Sequence, residues 1–502
     1  MKIVKRHPKI FAFFFLTVAY FGSRLYNILS LPIFTDEAIY TRWSQIARYD
    51  ASWRFISLTD GKQPSFVWIT MNIMRVVSDP LLAGRFTSVI GGFLGLIGIY
   101  FLAVELFRSK RVGFMASVLF LVYPFALVYD RMALYDSLVT AVSIWSLYFL
   151  IRLVKSTRLD VALILGMVLG GGVLTKSSAF LSIYLSPVIL ILFTFSQKDW
   201  TKKLLRWAVL MLVASGLAYG YYSILRLSPF FHIIGQKNEV FIYSFQEWLD
   251  HPFRFIIGNL KGLLDWLIGY MTYPVFGLAL VSFFVNPFKH VREKVLLFLW
   301  FILPFVALAL FARLLYPRFI YFMTVPLMLL ASYSLYNFYE RFKNVFSRAV
   351  LVLLFLALPL RADFLILNDF AHAPIPGADL EQYIDGWPAG GGVKEIISYL
   401  RDQAKNQKIF VLSTGTFGSL PTYAVEIYLG DDKNVDKMGI YPVPKKIPED
   451  IDKKAKTMPV YVFTSNQMEF DDNVKVWPVK ELMSYKKGAG DSYSRLYRVE
   501  AR

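Results

Sequence analysis

Two adjacent carboxylates, Asp36 and Glu37 in the segment Pro32-Ile-Phe-Thr-Asp-Glu-Ala-Ile-Tyr40, follow directly on the first long apolar run of the chain, residues 10–29. A carboxylate held where a chain leaves a membrane can take the proton from an attacking hydroxyl, the work of a general base. The local alternative is that Asp36 caps a helix beginning at Glu37, since aspartate is a favoured N-cap residue. A second acidic position, Asp136, closes the segment Asp130-Arg-Met-Ala-Leu-Tyr-Asp136, where three charges interrupt an apolar stretch. Ionisable groups at the end of a membrane helix are costly, and so are usually partnered or functional. Four cations complement these acids: Lys62 in Lys-Gln-Pro-Ser65, Arg131, Lys176 in Leu174-Thr-Lys-Ser177, and Arg318 in Tyr316-Pro-Arg-Phe319. Any one of them could simply snorkel to water. Gathered on one side they could hold a phosphate, which an arginine grips with two parallel hydrogen bonds.

The elements that must position these groups are apolar. The chain has 502 residues, of which 56% are hydrophobic and 17% aromatic, well above the apolar share of an ordinary globular protein. Runs of membrane-spanning length fall near 10–29, 81–103, 112–129, 133–153, 159–174, 179–196, 204–225, 262–285, 295–313, 318–337 and 349–367, which predicts a polytopic α-helical protein with about eleven transmembrane helices. The first run lacks a small-residue cleavage site and reads as a retained span. Lys2, Lys5, Arg6 and Lys9 precede it, and basic clusters recur at 108–111, 155–158, 198–206, 289–294 and 341–348. By the positive-inside rule these mark the cytoplasmic side. The N-terminus is then expected in the cytoplasm, and Asp36, Lys62, Arg131, Asp136, Lys176 and Arg318 outside.

The net charge of +18 belongs entirely to residues 1–370, because residues 371–502 hold 18 basic and 18 acidic residues. The basic excess therefore speaks of membrane orientation and not of a nucleic-acid surface. Two domains are expected: residues 1–370 in the membrane, with a large outer loop at 30–80, and residues 371–502 as a small extracytoplasmic α/β domain. In the latter, Ile409-Phe-Val-Leu412 and Val460-Tyr-Val-Phe463 read as strands and 393–404 as a helix. Its Gly386-Trp-Pro-Ala-Gly-Gly-Gly392 segment reads as a flexible connection or, less often, as an anion-binding helix start. The five histidines are scattered, at 7, 232, 251, 290 and 372, and no cysteine is present, so neither a histidine nor a thiolate metal site is indicated. No phosphate-binding loop of the nucleotide type or nucleophile elbow occurs, and Ser413-Thr-Gly-Thr-Phe-Gly418 is a weak glycine turn.

The acidic pair after the first span, Lys62 to Pro64, the Arg131-to-Asp136 turn, Leu174 to Ser177 and Pro317 to Phe319 together resemble the protein O-mannosyltransferase and aminoarabinose transferase superfamily of GT-C membrane glycosyltransferases. The resemblance covers roughly residues 1–370. It implies a donor sugar carried on a polyprenyl phosphate, an acceptor-side role for the aspartate of the first loop, and transfer with inversion at the anomeric centre. Gln63 and Phe319 depart from the family pattern, where a proline and a tyrosine are more usual. The residue chemistry is compatible with this implication. A phosphate leaving group needs cations rather than an acid of high pKa. On this reading Asp36 is the base, Glu37 orients the loop or acceptor, and Asp136 is a second carboxylate paired with Arg131. Lys62, Arg131, Lys176 and Arg318 bind the donor phosphate.

No organic cofactor is expected. A divalent cation held by Asp36 and Asp136 is left open, since a carboxylate beside a phosphate would otherwise be repelled. The expected partners are a lipid-linked hexose or pentose donor, a protein, glycan or lipid acceptor, and the cell membrane, with no nucleic acid. The competing reading is a secondary transporter or lipid-linked sugar flippase. Such proteins place their ionisable groups near the bilayer midplane, whereas here the charges fall at helix ends.

Overall fold

The computed structural model describes residues 8–465 and 471–500. Lys2, Lys5, Arg6 and His7 lie outside the described residues. The chain forms two compact units. One comprises Met1–Tyr26, Arg54–Phe66 and Arg85–Pro376, and the other Asn27–Trp53, Val67–Gly84 and Gly377–Arg502. The units are not linear segments, because most of the first loop clusters with the C-terminal residues.

In the first unit every apolar run folds as helix, though several depart from a simple span. Among the described residues six helices are long and apolar enough to cross a membrane: Pro80–Phe107, Asp136–Ser156, Trp200–Leu227, Val291–Phe311, Pro317–Arg341 and Val345–Asn368. A seventh arises if Ile256–Met271 and Tyr273–Val281, bent by 101°, are one broken span. Three shorter apolar helices, Phe11–Leu25, Leu159–Val173 and Ser177–Leu192, complete the set. The expected 112–129 span divides into Lys110–Leu121 and Pro124–Tyr129, because Pro124 supplies no amide to continue the ladder. The expected 179–196 span is a series of short helical and 3-10 turns around Pro187. The run expected at 262–285 breaks at Thr272, which adopts φ +62° and ψ +148° between Met271 and the Tyr273-Pro274 start of the next helix. The protein is thus a multi-pass membrane protein.

The second unit contains a five-stranded sheet of order β2-β1-β3-β5-β4. Its strands are β1 (Ile409–Thr414), β2 (Val435–Ile440), β3 (Val460–Thr464), β4 (Val479–Lys486) and β5 (Tyr493–Val499). β2, β1 and β3 run parallel, while β5 and β4 are antiparallel additions. The central strands β1 and β3 are buried throughout, as their continuous apolar sequences demand. Helix Val393–Asn406 buries Val393, Ile396, Ile397, Leu400 and Ala404 along one stripe against the sheet.

That same core contains Ile33, Ala38 and Leu81 from the first loop. Helix Thr35–Tyr49 packs on helix Leu420–Leu429, where Arg42 Nε meets Glu426 Oε2 at 2.7 Å and Gln45 Nε2 donates to Ile427 O at 3.2 Å. The Gly386–Gly392 segment receives the loop's other end. A Cβ on Gly390 would collide with the Ile33 carbonyl, and the Thr35 amide and hydroxyl both donate to Pro388 O, at 3.0 and 3.1 Å. The glycines there serve close backbone packing.

Candidate active site

Within the first unit, the segments carrying Lys62 and Lys176 are stitched together. The Gln63 amide donates to Ser177 Oγ at 2.8 Å, and the Ser65 N–H donates to Leu174 O at 3.0 Å. Gln63 is almost fully buried, so the side chain that departs from the family pattern is the one that ties the two loops. The turn before it ends at Gly61, whose φ of +65° suits glycine and whose missing Cβ admits the backbone of Ile233 and the side chain of Lys237. Asp60 then pairs with Lys237 at 2.6 Å.

These loops place four cations along one seam of aromatic rings. Lys62 Nζ lies 5.0 Å from the Phe241 ring centre, and Lys237 Nζ lies 6.0 Å from the same ring. Phe241 meets Phe319 edge-on at 5.8 Å, and Phe319 meets Tyr316 edge-on at 5.7 Å. Lys176 Nζ sits 5.0 Å from Phe319, and the Arg318 guanidinium 4.9 Å from Tyr316. Each ring-cation contact is worth about 0.5–2 kcal/mol depending on desolvation, which fixes ammonium groups without neutralising them. Phe241 reaches the seam because Ile242 pairs antiparallel with Ala312, while the Arg313 N–H donates to Phe241 O at 2.8 Å.

Asp136 opens helix Asp136–Ser156 and is buried. Its carboxylate pairs with Lys176 at 2.8 Å. The partner seen for Asp136 is thus Lys176, while Arg131, the partner expected for it, turns to the end of helix Pro8–Leu25. Its Nη1 donates to the carbonyls of Ser23, Arg24 and Tyr26 at 2.9, 3.2 and 2.6 Å. The last carbonyls of a helix have no partner within it, and a guanidinium satisfies several at once. Asp130, fully buried, accepts from Ser137 Oγ at 2.8 Å, Tyr20 Oη at 3.1 Å, Tyr321 Oη at 3.4 Å and Arg24 Nε at 3.5 Å. Gly92 leaves the room this carboxyl needs. Asp130 thus bonds the residue after Asp136 and a residue three past Arg318, behind the turns that carry both.

In the second unit, helix Thr35–Tyr49 begins after Phe34, so Asp36 occupies the first turn and is not the N-cap. Asp36 is half-buried and Glu37 is fully buried. Glu37 Oε2 reaches back to the Phe34 N–H at 3.5 Å, the return contact of an acid three places into a helix.

Among the described residues no group of three or more His, Asp or Glu side chains is arranged to hold a metal ion. Asp136 already has its cation in Lys176, so this carboxylate does not have the form of a vacant metal ligand. Lys237 and Asp60 escaped the sequence reading. The available signal was Lys237 four residues before Phe241 on a helix, the spacing that brings a side chain beside a ring.

Residues 61–219 match the model of the dolichyl-phosphate-mannose-protein mannosyltransferase family. The chain is 25% identical over 325 residues to undecaprenyl phosphate-alpha-4-amino-4-deoxy-L-arabinose arabinosyl transferase 2 of Proteus mirabilis, a match covering 59% of this chain and 54% of that protein. The chain therefore spans about half the length of this curated relative. Its fold is similar to the crystal structure of ArnT from Cupriavidus metallidurans bound to undecaprenyl phosphate, with a TM-score of 0.61 and 15% identity over 97% of each chain. It is also similar to the oligosaccharyltransferase AglB from Archaeoglobus fulgidus in complex with an inhibitory peptide and a dolichol-phosphate. There the TM-score is 0.53 and the identity 13%, over 95% of this chain and 73% of that one. Together the solved structures show that the chain has a GT-C-like fold.

Proposed function

We propose that this GT-C chain transfers a sugar from a polyprenyl-phosphate donor to an acceptor hydroxyl or similar group at the outer face of the membrane. The observation that carries the reading is the seam on which Lys62, Lys176, Lys237 and Arg318 surround Phe241, Phe319 and Tyr316. In the transfer, the acceptor oxygen bonds to the anomeric carbon as the bond from that carbon to the phosphate oxygen breaks. The departing polyprenyl phosphate gains a negative charge, and ammonium and guanidinium groups fixed in advance stabilise that charge most in the transition state. Lys62, Lys176 and Arg318 hold the phosphate, and Lys237 reinforces them. Asp136 orients Lys176, while Arg131 fixes the turn that bears Asp136.

Asp36 takes the acceptor proton as its oxygen attacks, and Glu37 keeps the start of that helix in place. The names of the relatives support the lipid-linked donor: one includes undecaprenyl phosphate and another was crystallised with it. The N-terminus faces the cytoplasm in this reading, and the sheet domain faces outward. The test is to incubate the purified full-length protein with a panel of radiolabelled polyprenyl-phosphate hexoses and pentoses and to follow label leaving the lipid. Release of free polyprenyl phosphate with formation of a glycosylated acceptor supports the reading. Movement of intact donor across liposomes without bond cleavage sinks it in favour of a flippase.

A further inference from the structure

Asp130 has no part in the transfer step described above, yet its contacts are divided in a way that burial alone does not require. Oδ1 accepts from Ser137 Oγ at 2.8 Å and from Tyr321 Oη at 3.4 Å. Oδ2 accepts from Tyr20 Oη at 3.1 Å and from Arg24 Nε at 3.5 Å. A carboxylate offers about four acceptor positions on its two oxygens, so these donors occupy the whole group. All of these side chains are buried, and water does not compete for the bonds.

The two oxygens face different parts of the unit. On the Oδ2 side, Tyr20 and Arg24 belong to helix Pro8–Leu25. Tyr20 also donates to Val89 O at 2.9 Å, and Arg24 Nη1 donates to Leu121 O at 2.6 Å, which ties this side to helices Pro80–Phe107 and Lys110–Leu121. On the Oδ1 side, Ser137 follows Asp136, whose carboxylate holds Lys176 Nζ at 2.8 Å. Tyr321 follows the Pro317–Ile320 turn, which carries Arg318.

The two Oδ1 branches meet again in front. Lys176 Nζ lies 5.0 Å from the ring of Phe319, in the same turn as Arg318. Contacts therefore close a ring from Asp130 through Ser137, Asp136, Lys176 and Phe319 to Tyr321 and back. The contact in front is loose, because a ring attracts an ammonium anywhere over its face within about 6 Å. Hydrogen bonds fix both distance and angle, so the spacing of Lys176 and Arg318 is set mainly from behind, at the shared oxygen.

We propose that Asp130 is a positioning residue for the donor phosphate. Through Oδ1 it sets the spacing between the Asp136–Lys176 pair and Arg318, and through Oδ2 it anchors both to the first helix. The proposal rests on the transferase reading for the identity of the phosphate. A misplacement of about 1 Å in such a support can cost on the order of a hundredfold in rate, although the supporting group takes no part in the chemistry.

Removing Asp130 would strand Arg24 as an unpaired buried charge and threaten the fold, so the test is made on its partners. Ser137→Ala and Tyr321→Phe each delete one hydroxyl on the Oδ1 side, and Tyr20→Phe deletes one on the Oδ2 side. The purified full-length protein in detergent is titrated calorimetrically with a short-chain polyprenyl phosphate, and thermal unfolding is recorded for every variant. Ser137→Ala and Tyr321→Phe are each expected to weaken binding roughly three- to tenfold, the worth of one hydrogen bond. The double variant should be within about twofold of the weaker single, because one cut already opens the ring. Tyr20→Phe should lower the unfolding temperature as the others do and leave the affinity within about twofold of wild type.

Multiplied losses in the double variant, the behaviour of independent contacts, overturn the proposal, as do unchanged affinities in both single variants. So does a loss in Tyr20→Phe equal to theirs, which would make Asp130 a structural partner only. A wild type that binds no polyprenyl phosphate also overturns it. The expected pattern of binding without cleavage of any radiolabelled donor would retain the role of Asp130 and remove the transferase reading.

Discussion

Two acidic turns sit in different units of the molecule and solve the burial of a carboxylate in opposite ways. Glu37 reaches three residues back to the Phe34 amide at the start of its own helix, at 3.5 Å. Asp136 is satisfied by Lys176, forty residues away in the turn that follows helix Leu159–Val173, at 2.8 Å. A locally capped acid stabilises its own element, whereas an acid paired across elements fixes where a second functional group stands. The first kind tolerates a neutral isostere that still accepts a hydrogen bond. The second does not, because its partner is left charged and half-buried.

The contrast can be broken most forcefully at the neighbour of Glu37. Asp36→Asn should abolish transfer by a factor of about 10²–10⁴, the usual worth of a general base, with donor binding retained. Near-normal turnover in a folded variant would remove Asp36 from that role. Asp136→Asn should come next, lowering kcat and raising the donor KM together by roughly ten- to a hundredfold as Lys176 loses its anchor, measured by initial rates at varied donor. If only stability changed, Asp136 would be a structural partner and nothing more. Arg318→Lys should raise the donor KM several-fold despite conserving charge, since an ammonium lacks the guanidinium's two-pronged grip. Acceptor KM is the control that should stay flat.

Glu37→Gln should change turnover by less than about threefold, because the amide oxygen still accepts from Phe34. A large loss there would place Glu37 in the chemistry and erase the distinction between the two turns. The smallest effect concerns the segment around Glu247, whose carboxylate accepts from the Ser244 amide and hydroxyl at 2.9 and 2.8 Å and pairs with Arg313. The Ser244 backbone amide, with Arg313 and the Ser244 hydroxyl, holds the Glu247 carboxyl down at about 2. Its folded value is below its unfolded one, so the contribution is complete above the ordinary glutamate range and fades only as pH falls through the folded value. Proteolytic nicking within 241–255 should therefore stay constant from pH 8 to about 5 and rise only below about 4.

The fold was legible where the signal is one of period and length. Continuous apolar runs announced the membrane helices, and Ile409-Phe-Val-Leu412 and Val460-Tyr-Val-Phe463 announced the buried central strands, because a strand covered on both faces has no polar alternation. The segments holding Lys62, Lys176 and Arg318 were legible as cations at helix ends. What could not be read is what each group touches. Asp60 and Lys237 are 177 residues apart in sequence, and neither has a local feature that names the other. Arg131 looked like a partner for Asp136, five residues on, yet the carbonyls ending helix Pro8–Leu25 compete for it and take its Nη1. The break at Thr272 was equally hidden, since the apolar run continues straight through it.

The packing of the first loop into the sheet domain bears on how the protein is made. Arg42 and its partner Glu426 are separated by 384 residues. At about 5–20 residues per second, synthesis leaves Arg42 waiting on the order of 20–80 s for Glu426 to exist. Throughout that interval the apolar faces of Ile33, Ala38 and Leu81 have no sheet to cover them. The helix that bears Asp36 is therefore among the first elements to emerge and among the last to acquire its native neighbours, and a ribosome that stalls before residue 409 leaves this helix without the sheet it packs against.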